Sequence, residues 1–259
     1  MQTILFHSTI FGPIHSRRLG TSLGVNLSPA DGKVCTFDCL YCEAGFNAQG
    51  AGRAGLPSRD SVRSLLEAKL KEMRDAGSVL DVITFSGNGE PTMHPDFESV
   101  VDDTLRLRDM YFPEAKVSVL SNSTRIGRED VCRALLRVDN NILKLDSAVD
   151  GTIRVIDRPN SPDFSAASVI GQLKRFEGQA IIQTMMLRGE YGGQVIDNTV
   201  EEEIAALIEA YKAIKPREIM IYSLDRPTPA KGLVKIEAEE LAGIGERIHE
   251  ATGIKIQVN

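Results

Sequence analysis

The residues with the most chemistry in this chain stand in DGKVCTFDCLYCEAG, where Cys35, Cys39 and Cys42 follow a C-x3-C-x2-C spacing, while the remaining cysteine, Cys132, is far away. Three thiolates fit three corners of a [4Fe–4S] cube and leave the fourth iron without a protein ligand. An iron with an open position can chelate a small molecule, whereas a purely electron-transferring cluster usually has four cysteines. The same thiols could instead bind zinc together with Cys132 or one of His7, His15, His94 and His249. Zinc sites favour separated pairs such as C-x2-C, however, and no second pair exists here. In REDVCRALLRV, Cys132 shares a helical face with Leu135 and Leu136, the position of a small buried hydrophobe.

Elements that could position the triplet follow from periodicity. Short apolar, β-branched runs at 22–27, 81–86, 116–121, 142–147, 180–187 and 218–224 alternate with stretches of helical period at 61–76, 97–110, 128–138, 163–176, 200–214 and 237–251. This is the pattern of βα units on a parallel sheet. Six units are too few for a closed eight-stranded barrel and predict an α/β fold, an open, partial (β/α)6 TIM-like barrel in a single domain over 1–259. IKIQV at 254–258 offers a final strand. Ser58 or Asp60 can cap the first helix and Gly77 can end it, with Val62, Leu65, Leu66, Lys69, Leu70 and Met73 mostly marking one face and Lys69 at its edge. Residues 1–21 read as an N-terminal extension, and EAGFNAQGAGRAGLP, 43–57, as a Gly/Ala-rich loop directly after the triplet.

Composition bounds the partners. The 259 residues are 42% hydrophobic and 25% charged with no run of eighteen apolar residues, which predicts a soluble chain without a membrane span. A net charge of -6 argues against a broad phosphate-binding surface. Four cysteines divided three and one make a poor disulfide framework, and no signal peptide is visible, so the cytoplasm is the expected address.

With the aromatic Tyr41 directly before Cys42, the triplet resembles the C-x3-C-x-aromatic-C motif of the radical S-adenosylmethionine (SAM) superfamily. The resemblance implies a [4Fe–4S] cluster on Cys35, Cys39 and Cys42, with SAM chelating the open iron. One electron then cleaves SAM to methionine and a 5′-deoxyadenosyl radical that abstracts hydrogen from a substrate. It implies further that VITFSGNGEPTMHPDF holds the methionine end of SAM, through Gly87, Asn88, Gly89 and the acceptor Glu90. The family usually has glycine where Asn88 stands. Taken alone, such a turn is as much a plain tight turn, and His94 reads as a turn or cap residue. By the same resemblance Asn122, Lys144, Asp146 and Ser147 contact SAM, and Leu187 its adenine. Lys144 and Asp146 fall on one strand face, where a buried structural pair is the alternative.

DRPN (157–160) and DRPTP (225–229) follow predicted strands, so Arg158 and Arg226, with Tyr222 and Arg17, are candidate substrate contacts. The plainer reading of the two arginines is an ion pair with Asp157 or Asp225. FGPIHSRRLG, FSGNGEPTMHP, LKLDSAVDGTIRVIDRPN and YSLDRPTP together resemble the radical domain of wyosine-tRNA synthetases, without their extra cysteines or flavodoxin-like domain. This implies a nucleoside, nucleobase or tRNA position as substrate and an electron donor such as flavodoxin or ferredoxin. The alternatives are a radical modifier or activase of a protein or peptide, and a non-catalytic iron–sulfur or zinc module.

Overall fold

The computed structural model describes residues 4–16 and 20–259; the candidate substrate contact Arg17 falls outside the described residues. The described strands are β1 Ile10–Ser16, β2 Gly20–Val25, β3 Val82–Phe85, β4 Lys116–Ser121, β5 Asn140–Lys144, β6 Ile181–Met185, β7 Leu187–Tyr191, β8 Gln194–Asp197, β9 Glu218–Tyr222, β10 Leu233–Lys235 and β11 Lys255–Val258. The α-helices are α1 Arg59–Asp75, α2 Phe97–Tyr111, α3 Glu129–Arg137, α4 Asp150–Ile156, α5 Ala166–Leu173, α6 Glu201–Ile214 and α7 Ala238–Thr252.

An eight-stranded sheet runs in the order β1-β2-β3-β4-β5-β6-β9-β11. Its ladders are parallel except that of β1 with β2. This is the expected partial barrel, extended by β11 at one end and by the antiparallel β1 at the other. Strands β3 and β6 are buried along their whole length, as apolar strands covered on both faces must be. Helix α1 shows why the helices pack as they do. Ser58 Oγ accepts the Ser61 N–H at 3.2 Å and starts the helix, Gly77 takes φ 66° just past its end, and Val62, Leu66, Leu70 and Met73 face the core. Leu65, expected on that face, is 47% exposed because it lies one residue off the stripe.

Three departures matter. The single strand expected over 180–187 breaks at Met186, and β7 instead joins a separate antiparallel sheet of order β10-β7-β8. The helix expected over 163–176 is shorter, with Ser165 Oγ capping α5 at the Ser168 N–H. The extra helix α4 directly precedes Asp157. Among the described residues no helix is long and apolar enough to cross a membrane.

Candidate radical site at the C-terminal edge of the sheet

The loop carrying the cysteines is fixed by the turn after β3. Val34 N–H donates to Asn88 O at 3.0 Å and Glu90 N–H to Val34 O at 3.0 Å, so the two segments form a parallel bridge. A Cβ on Gly89 would fall 1.9 Å from Val34 O, and one on Gly87 2.3 Å from Asn26 Oδ1. Both glycines are therefore required by the chain itself, which must pass this close to deliver Cys35. Glu90 is fully enclosed and accepts from Ser121 Oγ at 2.8 Å, from Thr92 N–H at 3.1 Å and Oγ1 at 2.5 Å, and from Asn122 N–H at 2.6 Å. In this arrangement it ties β3 to β4 rather than standing free as an acceptor.

Asn88, the departure from the family pattern, has no exposed surface. Its Oδ1 accepts the Phe6 N–H at 2.8 Å, and its Nδ2 donates to Phe6 O and Pro29 O, each at 2.9 Å. The side chain thus clamps the N-terminal segment. His94 accordingly serves the turn, its Nδ1 accepting the Asp96 N–H at 3.1 Å.

Cys39 is buried and Cys35 and Cys42 are half-buried, all with free thiols. Burial and the neighbouring Glu90 push Cys35 up to about 12, and burial with Asp157 pushes Cys39 well above the ordinary thiol range. Binding a metal through Cys35 or Cys39 would therefore require displacing a thiol proton. Lys33 lies 4% exposed among them, its Nζ donating to Gly45 O at 2.8 Å. Burial alone would lower its pKa, but Cys42, Cys35, Cys39 and Asp38 raise it, a positive charge suited to an anionic thiolate group. Among the described residues no three His, Cys, Asp or Glu side chains converge on a point as ligands of one ion would. Three thiolates on separate irons of a cube need no such convergence. Asn122 Nδ2 lies 3.5 Å from Cys35 Sγ and donates to Thr36 Oγ1 at 2.8 Å. Cys132 sits 4% exposed on α3, in the apolar core.

Beside Cys39 a polar group closes the mouth. The Tyr41 hydroxyl bonds both Lys144 Nζ and Asp146 Oδ2 and lies 3.4 Å from Asp157 Oδ1, while Lys144 Nζ is 3.2 Å from Asp146 Oδ2. The Cys39 thiol donates to Asp157 Oδ1 at 3.2 Å, and Asp157 Oδ2 is buried without a hydrogen-bond partner. Burial and the charge of Asp146 raise Asp157 well above the carboxylate range. Burial alone would lower Lys144, but Asp146 and its neighbours hold it well above the ordinary amine range, so it stays an ammonium. The buried pair of Lys144 with Asp146 is therefore realised, with Tyr41 added to it; Tyr222 is near enough to act electrostatically on Lys144 and Tyr41.

Other candidates go elsewhere. Ser147 Oγ donates to Glu203 Oε2 at 2.6 Å and accepts the Val149 N–H at 2.9 Å, turned from the mouth to cap the approach to α4. Leu187 is fully buried in an apolar cluster with Leu40, Met185 and Leu224. Neither arginine takes the partner expected beside it. Arg158, at φ 49°, sets its guanidinium over the rings of Phe46 and Tyr191 at 5.2 and 5.7 Å and pairs with Asp38 at 3.3 Å. Arg226 pairs with Glu43 at 2.6 Å. Both Arg-Pro loops thus grip the cysteine loop, and the first adds backbone bonds from Asp38 to Asp157 O and from Leu40 to Ile156 O, each 2.9 Å. Lys33 and Asp157 were not singled out as site residues from sequence. Lys33, two positions before Cys35, and an acid beside an Arg-Pro turn at a strand end were the available signals.

Over residues 31–197 the chain matches the family described as the Radical SAM superfamily. It belongs to that superfamily. The structure is similar to that of Streptococcus suis SuiB bound to S-adenosylmethionine, with TM-score 0.64 and 16% identity over 91% of this chain and 50% of that one. It is also similar to TYW1 with a lysine-pyruvate adduct bound, with TM-score 0.63 and 14% identity over 92% and 76%. At these identities the likeness is one of fold. By sequence, a Methanocaldococcus jannaschii UPF0026 protein is 29% identical over 247 residues, covering 94% of this chain and 72% of that protein. A Brachyspira hyodysenteriae protein named GTPase Obg is 26% identical over 252 residues, and the chain spans only 35% of its length.

Proposed function

We propose that the chain is a radical SAM enzyme that uses a [4Fe–4S] cluster and SAM to abstract hydrogen from a nucleoside, a nucleobase or a tRNA position. The observation that carries the reading is the gathering of Cys35, Cys39 and Cys42 around the buried Lys33 at the edge where strand ends meet, with Cys132 left in the core. The donor set fits the group. Bound to the three thiolates with an open iron for SAM, the cluster supplies the single electron that cleaves the sulfonium bond.

This chain's own residues do the holding. Lys33 offsets the negative charge of three thiolates, and Asn122 offers an N–H to Cys35 Sγ. The bridge of Val34 with Gly89 and the two arginine pairs keep the loop in place. The Tyr41, Lys144, Asp146 and Asp157 group fills the mouth beside Cys39 and keeps bulk water from it. A flavodoxin or ferredoxin is the electron donor, and the mouth loops select the substrate.

The test is anaerobic reconstitution with iron and sulfide, followed by dithionite and SAM. About four irons per chain and release of 5′-deoxyadenosine are expected. Bound zinc in place of iron, or no SAM cleavage by the loaded protein, would overturn the reading. Binding that weakens steeply with salt separates a tRNA substrate from a free nucleoside.

A further inference from the structure

The lumen of the partial barrel is not filled. A cavity of about 210 Å3 lies among inward residues of the strands, with Leu120, Ile142, Gln183 and Met220 on one part of its wall and Phe6 and Phe11 on another. The two rings stack at 3.9 Å, and Phe11 lies directly on β2, since a Cβ on Gly24 would come 2.1 Å from its ring. Pockets for drug-sized ligands run to about 300–1,000 Å3, so this one admits a ring system and not a whole nucleotide.

Two polar side chains at this space have no side-chain hydrogen bond to a described residue. Gln183 is 8% exposed and lines the cavity, yet its amide makes no hydrogen bond to any described residue. The same is true of the Ser86 hydroxyl, whereas Ser22 and Thr84, also at the wall, bond each other at 2.8 Å. An amide open to a cavity offers a donor and an acceptor side by side. Among the described residues no charged side chain lines the cavity, so none of them offers a counter-ion to a carboxylate or phosphate there. Lys144 is the ladder neighbour of Gln183, but Tyr41 and Asp146 engage it.

Resting on the nucleoside reading above and deepening it, we infer that the lumen reads a neutral planar nitrogen heterocycle of nucleobase size. Gln183 takes its donor–acceptor edge, Ser86 bonds a second ring substituent, and the aromatic wall offers a face for stacking. Gln183 sits on the ladder between Lys144 and Met220, two residue pairs below Met185 and Tyr222 and on the same face, so the ring it holds lies beneath the mouth group.

The experiment is ligand-observed NMR on the reconstituted protein with adenine, guanine, cytosine, uracil and benzene as probes. S-adenosyl-L-homocysteine is present throughout, so that a site for the adenosine of SAM is filled. At least one base should bind the wild type, and Gln183→Met should weaken it at least tenfold while benzene binds both proteins alike. No binding by any base, equal binding by the variant, or equal loss of benzene would overturn the inference. Should Gln183→Met fail to fold, Ser86→Ala decides, with a severalfold loss for the same base expected and no change overturning it. Release of 5′-deoxyadenosine is measured on the same samples. Its absence with base binding intact sinks the radical reading alone; its presence without base binding sinks the lumen reading alone.

Discussion

The cysteine loop and the lumen lie on one sheet but treat polar groups in opposite ways. Around the loop nearly every donor and acceptor is used: Asn88 spends its whole amide on backbone, Glu90 takes four donors, and two arginines reach across to Asp38 and Glu43. In the lumen the wall is mostly apolar, and the side chains of Gln183 and Ser86 line it without a hydrogen bond to any described residue. A region that satisfies its polar groups internally holds a fixed shape, whereas one that leaves polar groups open to a cavity can bond a guest. Around the loop, Asp157 Oδ2, beside Cys39, and Asn47 Oδ1, on the segment that follows the cysteines, are exceptions.

This contrast can be broken by experiment, beginning with the largest effect. Replacing Cys35, Cys39 or Cys42 by Ala should abolish cluster assembly, and Cys132→Ala should retain it; iron and sulfide counts after reconstitution read the difference, and equal iron in all four variants would contradict the division. Gly89→Ala should destabilise the fold by about 3 kcal/mol in urea unfolding, since the residue sits at φ 145° with its Cβ against Val34 O. Asn88→Ala should cost about 2 kcal/mol by leaving two Phe6 groups and Pro29 O unpaired, and should expose the N-terminal segment to protease.

Farther down the scale, the Arg59 hydrogen bond holds Asp103 below the usual carboxylate range, and the pair joins α1 to α2 at 2.8 Å. Because the folded pKa is depressed, the stabilisation is present above about pH 4 and lost as pH falls through the folded value. Asp103→Asn should therefore cost less than about 1 kcal/mol at neutral pH, and its difference from the wild type should vanish in acid. The smallest change belongs to the lumen: Ser86→Ala should leave stability within about 0.5 kcal/mol, because its hydroxyl has no bond to a described residue to lose. A cost like that of Asn88→Ala would erase the contrast.

Much of the fold was legible because βα alternation leaves a mark at every strand of the parallel sheet. Strand β1 was not, since IFGPIHS carries a proline that fits only an edge strand. The β7–β8 hairpin did announce itself: EYGGQV places two glycines between short strands, and Gly192 and Gly193 take the positive φ of 60° and 77° that such a turn needs. That signal was hidden by the apolar run before it. Of the site, the thiols were legible because their spacing is local. Lys33, Asp157 and Gln183 were not, because what marks them is their surroundings in space. Only the polar Gln183 inside the apolar run IIQTMM carried a trace of its position.

Asn88 is a partition one residue thick. Its main chain holds Val34, one position before the first cysteine, and its side chain holds Phe6, whose ring walls the lumen. The compartment for the cofactor loop and the compartment for the ring system therefore share a wall. Asn88→Ala would therefore loosen both at once, the loop through Val34 and the lumen wall through Phe6.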